Sequence, residues 1–154
     1  MERHNLLRAA ALLVAACVAG PGCTREVARI SLPRPGSAEV NVDLAAGTVA
    51  FSLDAEYEPA GRAGGVTGLD AYRLVVAAVQ RNKLAASTTC SPLRLSSKGW
   101  SREQSATRVR LVGNRIADCS LSLPRGGPTT IKATLAEARK PDIRLHYLEV
   151  VVEQ

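Results

Sequence analysis

Few residues of this 154-residue chain have the type and spacing to do chemistry. Beyond the first few residues His146 is the only histidine, set between Leu145 and Tyr147. A nucleophile needs a base beside it, and a hydrolytic metal needs several ligands held together. One histidine in an apolar run supplies neither, so His146 reads as a strand-face residue. Asp54, Glu56 and Glu58 recur at every second position. Gathered carboxylates can run acid–base chemistry or hold a divalent ion, but on an alternating strand these three are expected to face solvent together. No G-x-S-x-G nucleophile elbow occurs among the serines. Pro59–Gly68 places Gly61, Gly64, Gly65 and Gly68 around Arg62. It lacks phosphate-loop and dinucleotide-binding spacing, which leaves a flexible loop with Arg62 as a weak candidate ligand contact. Trp100, the only tryptophan, lies in a polar stretch. It can lid the core, anchor a protein partner or stack on a sugar ring. No catalytic residue, metal site or cofactor emerges from these residues.

The N-terminus is more informative. Arg3 and Arg8 precede an apolar run from Ala9 to Ala19, interrupted only by Cys17. That is the charged start and short apolar stretch of a secretory signal, too short for a membrane span of about 20 residues. Its C-terminal end resembles the lipobox of bacterial lipoproteins, in which small residues precede a cysteine that becomes the acylated first residue of the mature chain. Val14-Ala15-Ala16-Cys17 fits the pattern locally. Gly20-Pro21-Gly22-Cys23 fits it less well at Gly20 and Pro21 but leaves a longer apolar stretch before the cut. Cleavage before Cys23 discards Cys17 and leaves Cys90 and Cys119 as each other's free partners; cleavage before Cys17 strands an odd thiol at Cys23. The expected division is therefore signal 1–22 and one domain over 23–154, with Cys23, or else Cys17, as lipid anchor. The resemblance implies a membrane-held exported protein, and Thr24 or Val18 after the acylated cysteine implies, by the enterobacterial rule, the outer membrane facing the periplasm.

An oxidising compartment preserves disulfides. Cys90 and Cys119 are too far apart for a redox CxxC pair, and a structural bridge between two strands is expected. The formal charge of +6 falls to about +5 without the signal. The basic residues are scattered among carboxylates without interleaved aromatics, so nucleic acid is not an expected partner. A moderate positive balance does suit anionic lipid headgroups.

The elements that must position these residues are strands. Ala28, Ile30 and Leu32 alternate with polar residues, as do Val40, Val42 and Leu44, and then Val49, Phe51, Leu53, Ala55 and Tyr57. Period two marks half-buried strands, here expected to be successive antiparallel neighbours with one wet face each. Over 70–90 the periodicity fits helix and strand alike, but β-branched Val75, Val76 and Val79 and the polar Gln80–Lys83 cluster favour a hairpin. Residues 91–106 read as a long loop, with Leu93-Arg94-Leu95 able to pair at an edge. Val109–Leu111 and Ile116–Leu123 read as a second hairpin turning at Gly113-Asn114. Ile131, Ala133 and Leu135 give the next strand, Lys140-Pro141-Asp142 a turn, and Ile143–Val152 a closing strand.

Eight or nine short strands with Gly/Pro turns predict an all-β, antiparallel sandwich, immunoglobulin-like or jelly-roll-like. With aromatics at 3%, its core must be aliphatic. The expected function is a non-catalytic envelope lipoprotein whose partners are membrane lipid, through the acyl anchor, and a protein of the envelope. The alternative is a carbohydrate- or small-ligand-binding module built on Trp100 and the Arg62 loop.

Overall fold

The computed structural model describes residues 24–32, 34–58, 70–96, 101–104, 108–139 and 143–154. Among them are nine strands and no helix: β1 (Glu26–Ser31), β2 (Gly36–Leu44), β3 (Gly47–Glu58), β4 (Tyr72–Gln80), β5 (Lys83–Cys90), β6 (Ser101–Gln104), β7 (Val109–Leu123), β8 (Gly127–Glu137) and β9 (Arg144–Glu153). They form two antiparallel sheets ordered β1-β9-β3-β7-β6 and β2-β8-β4-β5.

The pairs β1·β9, β2·β8, β3·β7 and β4·β5 nest inside one another like the rungs of one long hairpin, and β3·β9 and β4·β8 zip that hairpin into two sheets. This is the jelly-roll plan rather than the immunoglobulin one. It also corrects the expectation that the first three strands are neighbours. Ala46-Gly47 carries the chain from one sheet to the other, and β3 ends up between β9 and β7.

Alternation decides which side chains reach the core. Tyr72, Leu74, Val76 and Ala78 of β4 are buried at strand spacing, and Arg81 (φ 50°) and Asn82 (φ 59°) form the tight turn into β5. The hairpin expected over 70–90 is therefore present. Two left-handed central residues match the twist of the strands they join. The interior is aliphatic around a single phenylalanine, Phe51, with Leu53, Leu74, Ile116, Leu123, Ile131, Leu135, Leu148 and Val150 likewise within 2% of full burial.

β7 departs from expectation. There is no turn at Gly113-Asn114; the strand runs unbroken for 15 residues. Its buried residues fall in three phases, Val109/Leu111, Asn114/Ile116 and Cys119/Leu121/Leu123. Each change of phase coincides with a left-handed residue, Gly113 (φ 63°) and then Asp118 (φ 52°). Pairing with β3 slips at the same two places, between Leu53 and Ala55 and between Ala50 and Ser52. Gly113 thus serves a bulge, which needs the same positive φ as a turn. The loop expected over 91–106 is also partly ordered. Leu95 bridges Ile116, and Ser101–Gln104 adds β6 to the edge of β7. The expected turn at 140–142 lies outside the described residues.

Candidate functional site

Cys90 ends β5, at the edge of one sheet, and Cys119 lies in β7 of the other. They form a disulfide with Cα atoms 5.5 Å apart. The expected bridge is present, and it pins the two sheets together without offering a thiol. Cys17, Cys23, Arg62 and Trp100 lie outside the described residues.

Asp54, Glu56 and Glu58 do share the outer face of β3, and Glu56 and Glu58 are partly exposed there as expected, but Asp54 is buried. Each has a basic partner. Asp54 is only 7% exposed. One of its oxygens accepts from Arg29 of β1, across the intervening β9, and the other accepts the Gly113 N–H at 2.6 Å. Glu56 pairs with Arg108 at 2.9 Å. Glu58 meets His146 Nε2 at 2.8 Å. His146 can reach it because β9 bulges there: Glu56 faces Tyr147 and Tyr57 faces Leu145, leaving His146 as the extra residue.

Two arginines complete this outer face. Arg29 also binds Glu26 at 2.7 Å and Glu149 at 3.2 Å, while Arg115 binds Glu153 and donates to Thr24 Oγ1 at 3.0 Å. Ser52, buried beneath them, donates to Glu153 at 2.7 Å. The hydrogen bond from Arg29 holds the Glu26 carboxyl below its usual range. The bond to His146 does the same for Glu58, and the surrounding carboxylates, Glu26 first, push the Arg29 guanidinium up. Carboxylates so held are poor general bases. Among the described residues no cluster of three or more His, Cys, Asp or Glu side chains could hold a metal ion.

The outer face of the other sheet is different in kind. Register places Ser37, Thr134, Val75 and Thr89 in one row, Glu39, Lys132, Ala77 and Ser87 in the next, and Asn41, Thr130, Val79 and Leu84 in the third. Only the middle row carries charge. Two shallow grooves flank the sheet. One of about 420 Å³ lies over the disulfide between Asp70, Arg94 and Asp118. The other, about 440 Å³, lies between Asp43, Arg81 and Thr130. Burial, with Glu137 nearby, pushes the Tyr72 phenol in the first groove up. Strand alternation contained the signal for this sparsely charged face, since Val75, Ala77 and Val79 are the off-phase residues of β4. Its significance needed the strand order.

One end of the sandwich is closed by polar clasps. Arg25 and Gln154 exchange backbone bonds at 2.9 Å, and the Gln154 side chain bonds both Ala45 N–H and Ala45 C=O, at 2.7 and 2.8 Å. Gln80 donates to Arg125 C=O at 3.0 Å. Gly126 sits so close to Leu44–Ala46 that an added Cβ would meet backbone atoms at 3.2–3.3 Å. The β2–β3, β4–β5 and β7–β8 turns therefore meet where the chain enters the fold.

The chain matches no protein-family model, no curated protein and no solved structure.

Proposed function

We propose that the protein is a non-catalytic envelope lipoprotein, held to a membrane by an acyl group on Cys23 and acting as a structural or protein-interaction module. The observation that carries this reading is the unequal treatment of the two outer faces. On one, arginines and carboxylates satisfy each other over buried Ser52 and Asp54. On the other, Val75, Ala77 and Val79 lie half-buried beside Leu84, which is 65% exposed. Apart from the facing Glu39 and Lys132, the side chains of this surface are small apolar and hydroxyl groups that desolvate at low cost, and burying them against a partner is favourable in proportion to area.

The anchor rests on the signal and lipobox-like residues of the first two dozen positions, which point to the outer membrane with the domain facing the periplasm. The Cys90–Cys119 bridge is compatible with an exported chain. Affinity isolation from detergent-solubilised membranes tests the interaction. One partner is expected to return reproducibly with the wild-type chain and to be lost with Ala77→Lys, which sets a second lysine beside Lys132 and replaces the smallest side chain of the face with a long one, without entering the core. Recovery of no reproducible partner, or equal recovery with Ala77→Lys, overturns the reading.

A further inference from the structure

The end of the sandwich where the chain enters the fold carries four exposed cations: Arg25, Arg81 in the β4–β5 turn, Lys83 at the start of β5, and Arg125 in the β7–β8 turn. The nearby carboxylates Glu26 and Glu153 are held by Arg29 and Arg115. Asp43 is the one exposed carboxylate at this end without such a partner among the described residues. The same end holds both large hydrophobic residues exposed among the described residues, Val27 at 36% and Leu84 at 65%. Arg81 also adopts φ 50°, at a turn position where asparagine or glycine is preferred. A strained cation at a turn tip is a feature that stability alone does not select.

We propose that this end is a lipid-docking plate whose partner is the anionic headgroup surface of a phospholipid bilayer. The four cations face lipid phosphates, and Leu84 enters the boundary between headgroups and acyl chains. Combining a basic patch with exposed apolar side chains is how a folded surface holds to such a bilayer. The orientation rests on the anchored reading above. Cys23 is followed directly by Thr24, bound by Arg115, and by Arg25, clasped to Gln154. An acyl group on Cys23 therefore leaves no slack between the bilayer and the plate. The chemistry of the plate does not need the anchor. Headgroup attraction fades within about 8 Å at physiological salt. The exposed cations Arg34, Arg73, Arg110 and Arg144 stand at the far end of strands 9 to 15 residues long, beyond that reach.

The test uses the mature chain, residues 23–154 with Cys23→Ser, which removes the apolar signal and the acylation site and leaves the Cys90–Cys119 bridge intact. Binding is read by co-sedimentation with phosphatidylcholine vesicles, with and without phosphatidylglycerol, at low and high salt. Each cation near the bilayer is worth about fivefold in partitioning. The set Arg25→Gln, Arg81→Asn, Lys83→Gln and Arg125→Gln is expected to lower phosphatidylglycerol-dependent binding by two to three orders of magnitude. Arg34→Gln, Arg73→Gln, Arg110→Gln and Arg144→Gln, with the same change in net charge, are expected to change it by less than about fivefold. Should the first set not fold, single Lys83→Gln and Arg125→Gln, each expected at about fivefold, replace it. Equal losses from both sets, or equal binding to neutral and anionic vesicles, overturn the plate. The intact mass of the exported wild-type chain decides the anchor separately. Acylation without an end preference overturns the plate alone, and an end preference without acylation upholds the plate and overturns the anchor.

Discussion

Opening the Cys90–Cys119 bridge is the perturbation whose cost can be worked most directly from the fold. The cysteines are 29 residues apart in sequence. Closing a loop of that length in the unfolded chain removes about 12 cal/mol/K of entropy, or about 3.6 kcal/mol at 25 °C. A domain of this size is stable by about 5–15 kcal/mol, so the bridge is a large share of the total. The enclosed segment, 91–118, contains β6 and both left-handed residues of β7, so without the bridge its ends are held by β4·β5 and β3·β7 pairing and by the backbone bonds that join Arg94–Ser96 to Arg115–Ala117. Urea unfolding of the wild-type chain with and without reductant, beside the double variant Cys90→Ala/Cys119→Ala, should show a loss of about 3–4 kcal/mol. The slope against urea should steepen, because an uncrosslinked unfolded chain exposes more surface. A loss below about 1 kcal/mol with unchanged slope would refute the reasoning: it would mean that the packing of β5 against β7, and not the crosslink, holds the edges together.

Three further outcomes are expected from the packing and the charges. Asp54→Ala should cost about 2–3 kcal/mol in urea unfolding, because it strips Arg29 and the Gly113 N–H of a nearly buried acceptor; a cost within about 0.5 kcal/mol would show that water replaces it freely. Gly126→Ala should cost about 1–2 kcal/mol, since its Cβ would press on the backbone of Leu44–Ala46; the thermal midpoint reads this, and an unchanged midpoint would show that the turn yields. Glu26 and Glu58 have lowered folded-state pKa values, so their contribution is present above the ordinary carboxylate value of 4.5 and is lost as pH falls below it. Urea midpoints between pH 7 and pH 3 should therefore decline less in Glu26→Gln/Glu58→Gln than in wild type; parallel declines would place the acid sensitivity elsewhere.

Most strands are legible in the sequence because burial follows local alternation: Val49, Phe51 and Leu53 announce β3 without knowledge of its neighbours. The strand order is not legible, since it rests on pairings such as Ala28 with Val152 that no local pattern encodes. Gly113 passes for a turn residue because a bulge and a turn ask the same thing of a glycine, and only the shifting phase of Val109, Leu111, Asn114 and Ile116 tells them apart. Asp54 passes for a solvated residue because its partner Arg29 lies 25 residues away, on a strand that is not even its neighbour. β6 has four residues, too few for a period to register. The disulfide is legible from the cysteine count and from the compartment that the signal-like N-terminus implies, and the placement of its two cysteines on facing sheets bears out the pairing.

The placement of β1 has a mechanical consequence. The chain enters the fold at Arg25 and runs straight into an edge strand paired antiparallel with β9 over most of its length. A load applied at the N-terminus and directed away from the body pulls β1 along its own axis. The hydrogen bonds to β9 then share the strain and must yield together, as in shear, where a sideways pull would peel them one at a time. Arg29 strengthens that arrangement, because its grip on Asp54 reaches over β9 to β3 and transmits tension past the first neighbour. A domain tethered by its first residues and tugged through a partner would meet that force along its stiffest direction.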